Sequence, residues 1–266
     1  MMMGNGRNSG IRMTGAGLKW TALLSMLLDH IGCVLLPALA IYGGAHVLPW
    51  GLHTLRVVYR VLRRIGRPAF PLYLFLLMEG FSHTRSRGKY LLRLSVFALI
   101  SEIPFDLALN ETWLEFGYQN VFFTLAIGFA ALMGIDTLRR VQGSRAARGA
   151  AILFIFVAAP AAAWLLRTDY GAAGVAALEL LYAATWLRDV QAAGSGSPGW
   201  RVLQWCAMLP PLLLSSRTEW WALLGLPLVC LYGREKGRQA SRWFFYAFYP
   251  AHLMALAVLR MLLFPV

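Results

Sequence analysis

Nine mostly apolar stretches, separated by short polar segments, constrain this chain more than any other feature of its sequence. They cover 18–37, 68–82, 90–109, 120–137, 149–166, 171–187, 200–215, 218–232 and 243–264. About 20 apolar residues in a helix cross the hydrocarbon core of a bilayer, and in lipid a helix is favoured because it satisfies every backbone amide internally. The pattern predicts an all-α, polytopic transmembrane helical bundle of about nine spans. Residues 1–266 then form a single integral membrane domain, with 1–17 as a cytoplasmic tail. Hydrophobic residues make up 59% and charged residues 14%, whereas a soluble domain carries about 25% charge. A water-exposed globule is excluded on that ground. Several stretches are short, and the second carries Pro68 and Pro71, so kinks or partial re-entry are expected. The first stretch holds Asp29 and His30 and is followed by no small-residue cleavage site, so it reads as a span rather than a leader.

The formal net charge is +13, from 25 Lys and Arg against 12 Asp and Glu. These cations sit between apolar stretches, which is the layout of topology signals and not of a nucleic-acid face. Excess Lys and Arg favour the cytoplasmic side, so Arg7, Arg12 and Lys19 place the amino terminus inside, as expected for a multi-pass protein of the inner or cytoplasmic membrane. Arg85, Arg87 and Lys89, then Arg139, Arg140, Arg145 and Arg148, fall on the same side. The segment 110–120 has Glu111 and Glu115 but no basic residue, which suits the opposite side. One connection disobeys: 38–67 holds Arg56, Arg60, Arg63, Arg64 and Arg67 where few cations belong. Spacings of four, three and four line Arg56, Arg60, Arg63 and Arg67 along one face of an amphipathic helix. That helix has two readings, a surface element held by lipid phosphates or an anion-binding stripe.

Ionisable side chains inside spans are expensive and by default face the protein interior at functional sites. Asp29 and His30 are adjacent in the first span. Glu79 and His83 are four apart at the end of the second, and Glu102 and Asp106 are four apart in the third. Asn120 opens the fourth span, and His252 follows Pro250 in the ninth. Spacing by four puts Glu79 in reach of His83, whereas Asp29 and His30 point about 100° apart. Each residue also has a structural reading. His30 and His252 can serve as interhelical hydrogen bonds, Glu102 and Asp106 as counter-ions for Arg93 or the arginine stripe, and His83 as a solvated interfacial group. Cys33, Cys206 and Cys230 are too far apart to suggest a disulfide framework or a metal site, and no metal is expected. No Walker loop, dinucleotide fingerprint or zincin helix occurs. The G-x-S-x-G pattern in GSGSPG (194–199) lies in a Gly/Ser loop and is discounted. What remains is a histidine with carboxylates and nearby arginines in a bundle, a set suited to proton transfer on an acceptor and binding of an anionic donor.

The stretches LKWTALLSMLLDHIG (18–32), RRIGRPAFPLYLFLLMEGFSHTRSRGKYLLRLSVFALISEIPFDL (63–107), QNVFFTLAIG (119–128) and FFYAFYPAHL (244–253) resemble the TraX family. The resemblance spans both ends of the chain, while 138–240 carries little of it. It implies a membrane-embedded acetyltransferase that moves an acetyl group from acetyl-CoA to an amine, such as the amino terminus of a small pilin-like membrane protein, or to another amine or hydroxyl acceptor. Carried onto this chain, it makes His30 the general base, helped by Asp29, Glu102 or Asp106. Arg64, Arg67, Arg93 and His83 become candidates for the coenzyme A end, and Glu79, Asn120 and His252 for the acceptor. Two other classes remain open: a proton-coupled transporter, weakened because the halves show no inverted repeat, and a structural component of a pilus or surface assembly apparatus.

Overall fold

The computed structural model describes residues 12–43, 51–191, 198–238 and 240–264. Arg7 of the tail and residues 194–197 of the discounted Gly/Ser loop lie outside them. Among the described residues the regular elements are helical, as expected for an all-α bundle: α1 Gly15–Tyr42, α2 Gly51–Gly66, α3 Ala69–His83, α4 Arg87–Leu109, α5 Val121–Arg140, α6 Arg145–Leu165, α7 Gly171–Val190, α8 Pro198–Ser215, a 3-10 segment Arg217–Gly225, α9 Leu226–Cys230 and α10 Arg242–Leu263. Four of the described helices are long and apolar enough to cross a membrane: α1, α5, α6 and Trp243–Leu263 of α10. α4 and α7 have the length, at 23 and 20 residues, but carry ionisable side chains along it. The chain is an integral membrane protein.

Two expected spans take a different form. The stretch 68–82 becomes α3, 15 residues long and so about 22 Å, short of a bilayer core of about 30 Å. Arg67 and Pro68 separate it from α2. Proline disfavours a helical residue before it, so the break falls where the sequence has Pro68. The stretch 218–232 is apolar enough for a span but forms a 3-10 segment followed by the five-residue α9. Gly225 and Pro227 interrupt it. A Cβ on Gly225 would lie 2.5 Å from the Trp205 ring, so glycine is what lets this segment press against that fully buried indole.

α1 has 28 residues, about 42 Å, and outruns the bilayer core by roughly two turns. The amphipathic helix expected over the arginine stripe is α2. It packs along the carboxyl-terminal half of α1, where a Cβ on Gly32 would meet Leu62 at 3.1 Å. Arg56 and Arg60 stay exposed, whereas Arg63 and Arg67 turn onto Asp29. The stripe is therefore divided: its first half faces outward and its last two arginines belong to the interior.

The apolar core gathers Phe81 of α3, Phe105 of α4, Phe129 and Leu132 of α5 and Trp205 of α8. At one end of the bundle the loops 110–120 and 166–170 are joined by backbone bonds, Gln119 N–H to Arg167 O at 3.0 Å and Asp169 N–H to Gln119 O at 2.7 Å. At the other, the chain before α1 pairs with the segment before α10, through Gly15 N–H to Glu235 O at 2.8 Å and Gly233 N–H to Met13 O at 2.9 Å. Basic loops lie at this second end.

Candidate functional site

Midway along α1, His30 meets His252 of α10, its Nδ1 standing 2.8 Å from Nε2 of His252. The other nitrogen of His252, Nδ1, lies 2.7 Å from the Phe248 carbonyl one turn earlier. These two distances assign the protons. A carbonyl only accepts, so His252 Nδ1 carries a hydrogen; in a neutral ring Nε2 is then the acceptor. His30 must donate to it through Nδ1, which leaves the Nε2 lone pair of His30 free. Phe248 stacks on the His252 ring at 4.9 Å, and Tyr249 meets His30 edge-on at 6.0 Å between centroids. Both rings are thus held by contacts on more than one side.

His30 lines an interior cavity of about 200 Å³, shared with Asp29, Arg63, Arg67, Tyr118, Asp169 and Tyr170. Asp29 does not orient His30. Consecutive helical residues diverge by about 100°, and the Asp29 carboxylate accepts instead from Arg63 and, at 2.5 Å, from Arg67. Arg67 also donates to Glu219 of the 3-10 segment at 2.7 Å and approaches the Tyr170 hydroxyl at 3.4 Å. One guanidinium thereby ties α1, the 3-10 segment and the loop before α7 together at the break between α2 and α3. The close approach has a backbone requirement: a Cβ on Gly66 would lie 2.3 Å from Asp29. Gly66→Ala should therefore destabilise the fold by about 1–3 kcal/mol, read as a lower midpoint of thermal unfolding in lipid nanodiscs.

Asp169 enters from the loop before α7, where Arg167 and Tyr170 both have positive φ, at 51° and 61°. Non-glycine residues in that region cost energy and persist where surrounding contacts hold them. Here Tyr118 donates to Asp169 at 2.7 Å and Tyr170 stacks on Phe70 at 3.7 Å. Burial pushes the Asp169 carboxyl above the usual carboxylate range, opposed by the Tyr118 hydroxyl and the Arg67 charge. Sequence reasoning did not single out Asp169, Tyr118, Arg63 as a cavity residue, or Glu219. A signal existed only for Glu219, an acid inside an apolar stretch.

The other expected site residues lie elsewhere. Glu102 accepts from the Asn120 side chain, which also donates to Ala98 O at 2.8 Å and caps α5 by accepting from Phe122 N–H at 3.0 Å. Asp106 accepts from Glu115 N–H at 2.7 Å and from Asn110 at 3.1 Å, closing the 110–120 loop. Neither carboxylate lines the cavity, and neither bonds His30. The partner expected to be a carboxylate is the His252 imidazole. His83 is exposed and bonds the backbone carbonyl of Glu79, at 2.8 Å, rather than its carboxylate. Arg64 is exposed, its guanidinium 4.8 Å from the Trp221 ring, and Arg93 lies by Tyr90 and Tyr246 at 5.3 and 5.9 Å. Of the three arginines expected at the coenzyme end, Arg67 alone reaches the cavity, and it is already engaged by two carboxylates.

The family model described as "TraX protein" matches residues 14–260. The chain belongs to the TraX family. A curated relative, "Probable fimbrial assembly protein FimC, serogroup H1" of Dichelobacter nodosus, is 31% identical over 259 residues, covering 92% of this chain and 95% of that protein. No solved structure matches. The TraX match runs from the cap of α1 to the last turns of α10, so it includes both histidines of the pair, the arginine break and Asp169.

Proposed function

We propose that this TraX-family membrane protein is pilus-related and transfers an acetyl group from acetyl-CoA to an amine acceptor, at the cavity that His30 lines with His252 behind it. The observation that carries the reading is the chain His30 to His252 to the Phe248 carbonyl, because it leaves one imidazole lone pair unshared on a residue that lines an interior cavity. The relative's name supports the pilus context.

About 200 Å³ is below the usual range for a whole small-molecule ligand, roughly 300–1,000 Å³. The cavity suits two small ends meeting, an acetyl thioester and the terminal group of an acceptor. When bound, acetyl-CoA supplies the activated acetyl group. His30 Nε2 takes the proton from the acceptor nitrogen as that nitrogen attacks the thioester carbonyl; the C–S bond then breaks, and the same proton passes from Nε2 to the departing thiolate of coenzyme A. The resulting imidazolium donates through Nδ1 to His252, whose ring is anchored on Phe248. General-base help of this kind is worth about 10²- to 10⁴-fold. Arg63 lines the cavity with a guanidinium only partly occupied by Asp29, so it is placed to hold an acyl oxygen as negative charge develops there, an effect of about 10²- to 10³-fold where measured.

A second reading, an assembly component without catalysis, is favoured by the same relative and makes the Asp29, Arg67 and Glu219 cluster interhelical glue. The test is transfer itself. Purified full-length chain in nanodiscs, given radiolabelled acetyl-CoA with amine and hydroxyl peptides, should label the amine acceptor well above empty nanodiscs. Absence of label on every acceptor favours the assembly reading.

A further inference from the structure

Where the basic loops gather, a second cavity of about 530 Å³ opens, lined by Thr84, Arg85, Arg87, Asp136, Thr137 and Arg140. Sequence topology accounts for cations on this side of the protein but not for their arrangement around a concavity. Arg87 is fixed: its guanidinium bonds Asp136 at 2.5 Å and lies 4.0 Å from the Phe81 ring centroid. Asp136 also accepts from Arg140 at 3.0 Å and from the Tyr182 hydroxyl at 3.1 Å. Tyr182 in turn accepts from Arg139 at 2.8 Å. One carboxylate thus organises a wall of arginines without neutralising it, three positive charges facing one negative. Arg85 and most of Arg140 are exposed, the latter's side chain at 73%. Thr84 and Thr137 add hydroxyls to the wall, and α4 begins on it at Arg87.

We infer that this cavity binds a phosphate-bearing ligand. Guanidinium groups match phosphate oxygens with paired donors and keep their charge at every physiological pH. A pre-positioned Arg87 loses little side-chain freedom on binding, which favours a ligand over a merely solvated basic face. The site is separate from the histidine pair: along α5, Leu125 lines the inner cavity and Asp136 this one, about 16 Å of helix apart. Phosphate has two sources here, the nucleotide end of a soluble donor or the headgroup of an anionic lipid. The nucleotide case rests on the acetyltransferase reading; the lipid case does not.

The full-length chain in phosphatidylcholine nanodiscs is titrated with adenosine 3′,5′-bisphosphate and with inorganic pyrophosphate. Its thermal midpoint is then compared in nanodiscs containing phosphatidylglycerol. Arg85→Gln and Arg140→Gln, both at exposed positions, should each weaken binding roughly tenfold. Asp136→Asn should tighten it severalfold, because two guanidiniums lose their competitor; a purely structural role for Asp136 predicts no gain. Saturable nucleotide binding weakened by Arg85→Gln supports the inference with a soluble source. Stabilisation by phosphatidylglycerol that Arg85→Gln abolishes supports it with a lipid source. Binding of neither kind, or binding unchanged in all three variants, overturns it. Acetyl transfer measured alongside separates the two claims: transfer with no phosphate binding removes only this site, and phosphate binding with no transfer removes only the enzyme.

Discussion

His30→Ala is expected to lower the turnover of acetyl transfer by at least 10²-fold, the low end for a lost general base, while the protein keeps its thermal midpoint within a few degrees. His30 is half-buried and lines open volume, so truncation there enlarges a cavity rather than stranding a charge. His252→Phe should reproduce most of the loss. Without an acceptor at 2.8 Å, His30 is free to move its proton to the nitrogen that must be bare, and its imidazolium has no neighbour to share charge. His252→Gln, whose side-chain carbonyl accepts the same hydrogen, should recover part of the rate. The loss should fall on kcat, with KM nearly unchanged, because neither imidazole is needed to hold the donor's nucleotide. A KM effect alone would make the pair a binding element.

Arg67→Met should have the largest effect on the fold. Arg67 is 7% exposed and is the partner that Asp29 and Glu219 share. Removing it leaves two interior carboxylates facing each other, with only Arg63 on Asp29. Breaking a buried ion pair from one side costs about 3–5 kcal/mol, because the desolvation of the surviving charge is no longer offset. The unfolding midpoint in nanodiscs should drop sharply, and protease should cut near the junction of α2 and α3. Replacing all three residues together, Asp29→Leu, Arg67→Met and Glu219→Leu, should restore most of the stability, since apolar packing often matches a buried ionic cluster. An Arg67→Met protein as stable as the original would show that this cluster does not hold the bundle.

The elements that the sequence made legible are those written in local periodicity. α1, α5, α6 and α10 follow from apolar stretches of sufficient length, and α2 follows from arginines spaced by four, three and four. The cost of Asp29, His30 and His252 in lipid singled them out, and all three lie at or beside the cavity. Their pairing was not legible. His30 and His252 are 222 positions apart, and no local rule distinguishes an imidazole partner from a carboxylate one. Asp29 was adjacent in sequence and so an attractive helper, but helix geometry turns it toward Arg63 and Arg67. Glu102 and Asp106 share the intramembrane signature of a site, yet Glu102 holds the Asn120 side chain that caps α5 and Asp106 closes a loop, since buried polar groups need partners as much as chemistry does. The stretch 218–232 matched a span in hydropathy alone; Gly225 and Pro227 were the local warning that it would not form one helix.

On the proposed mechanism His30 and His252 act as one unit in moving an acetyl group. A double-mutant cycle on kcat for transfer, with His30→Ala, His252→Phe and the combination, tests it most directly. The double variant should be no slower than His30→Ala alone, because the second imidazole works only through the first. A double variant slowed by the product of the two single losses would show two independent contributions and rule out a paired histidine unit.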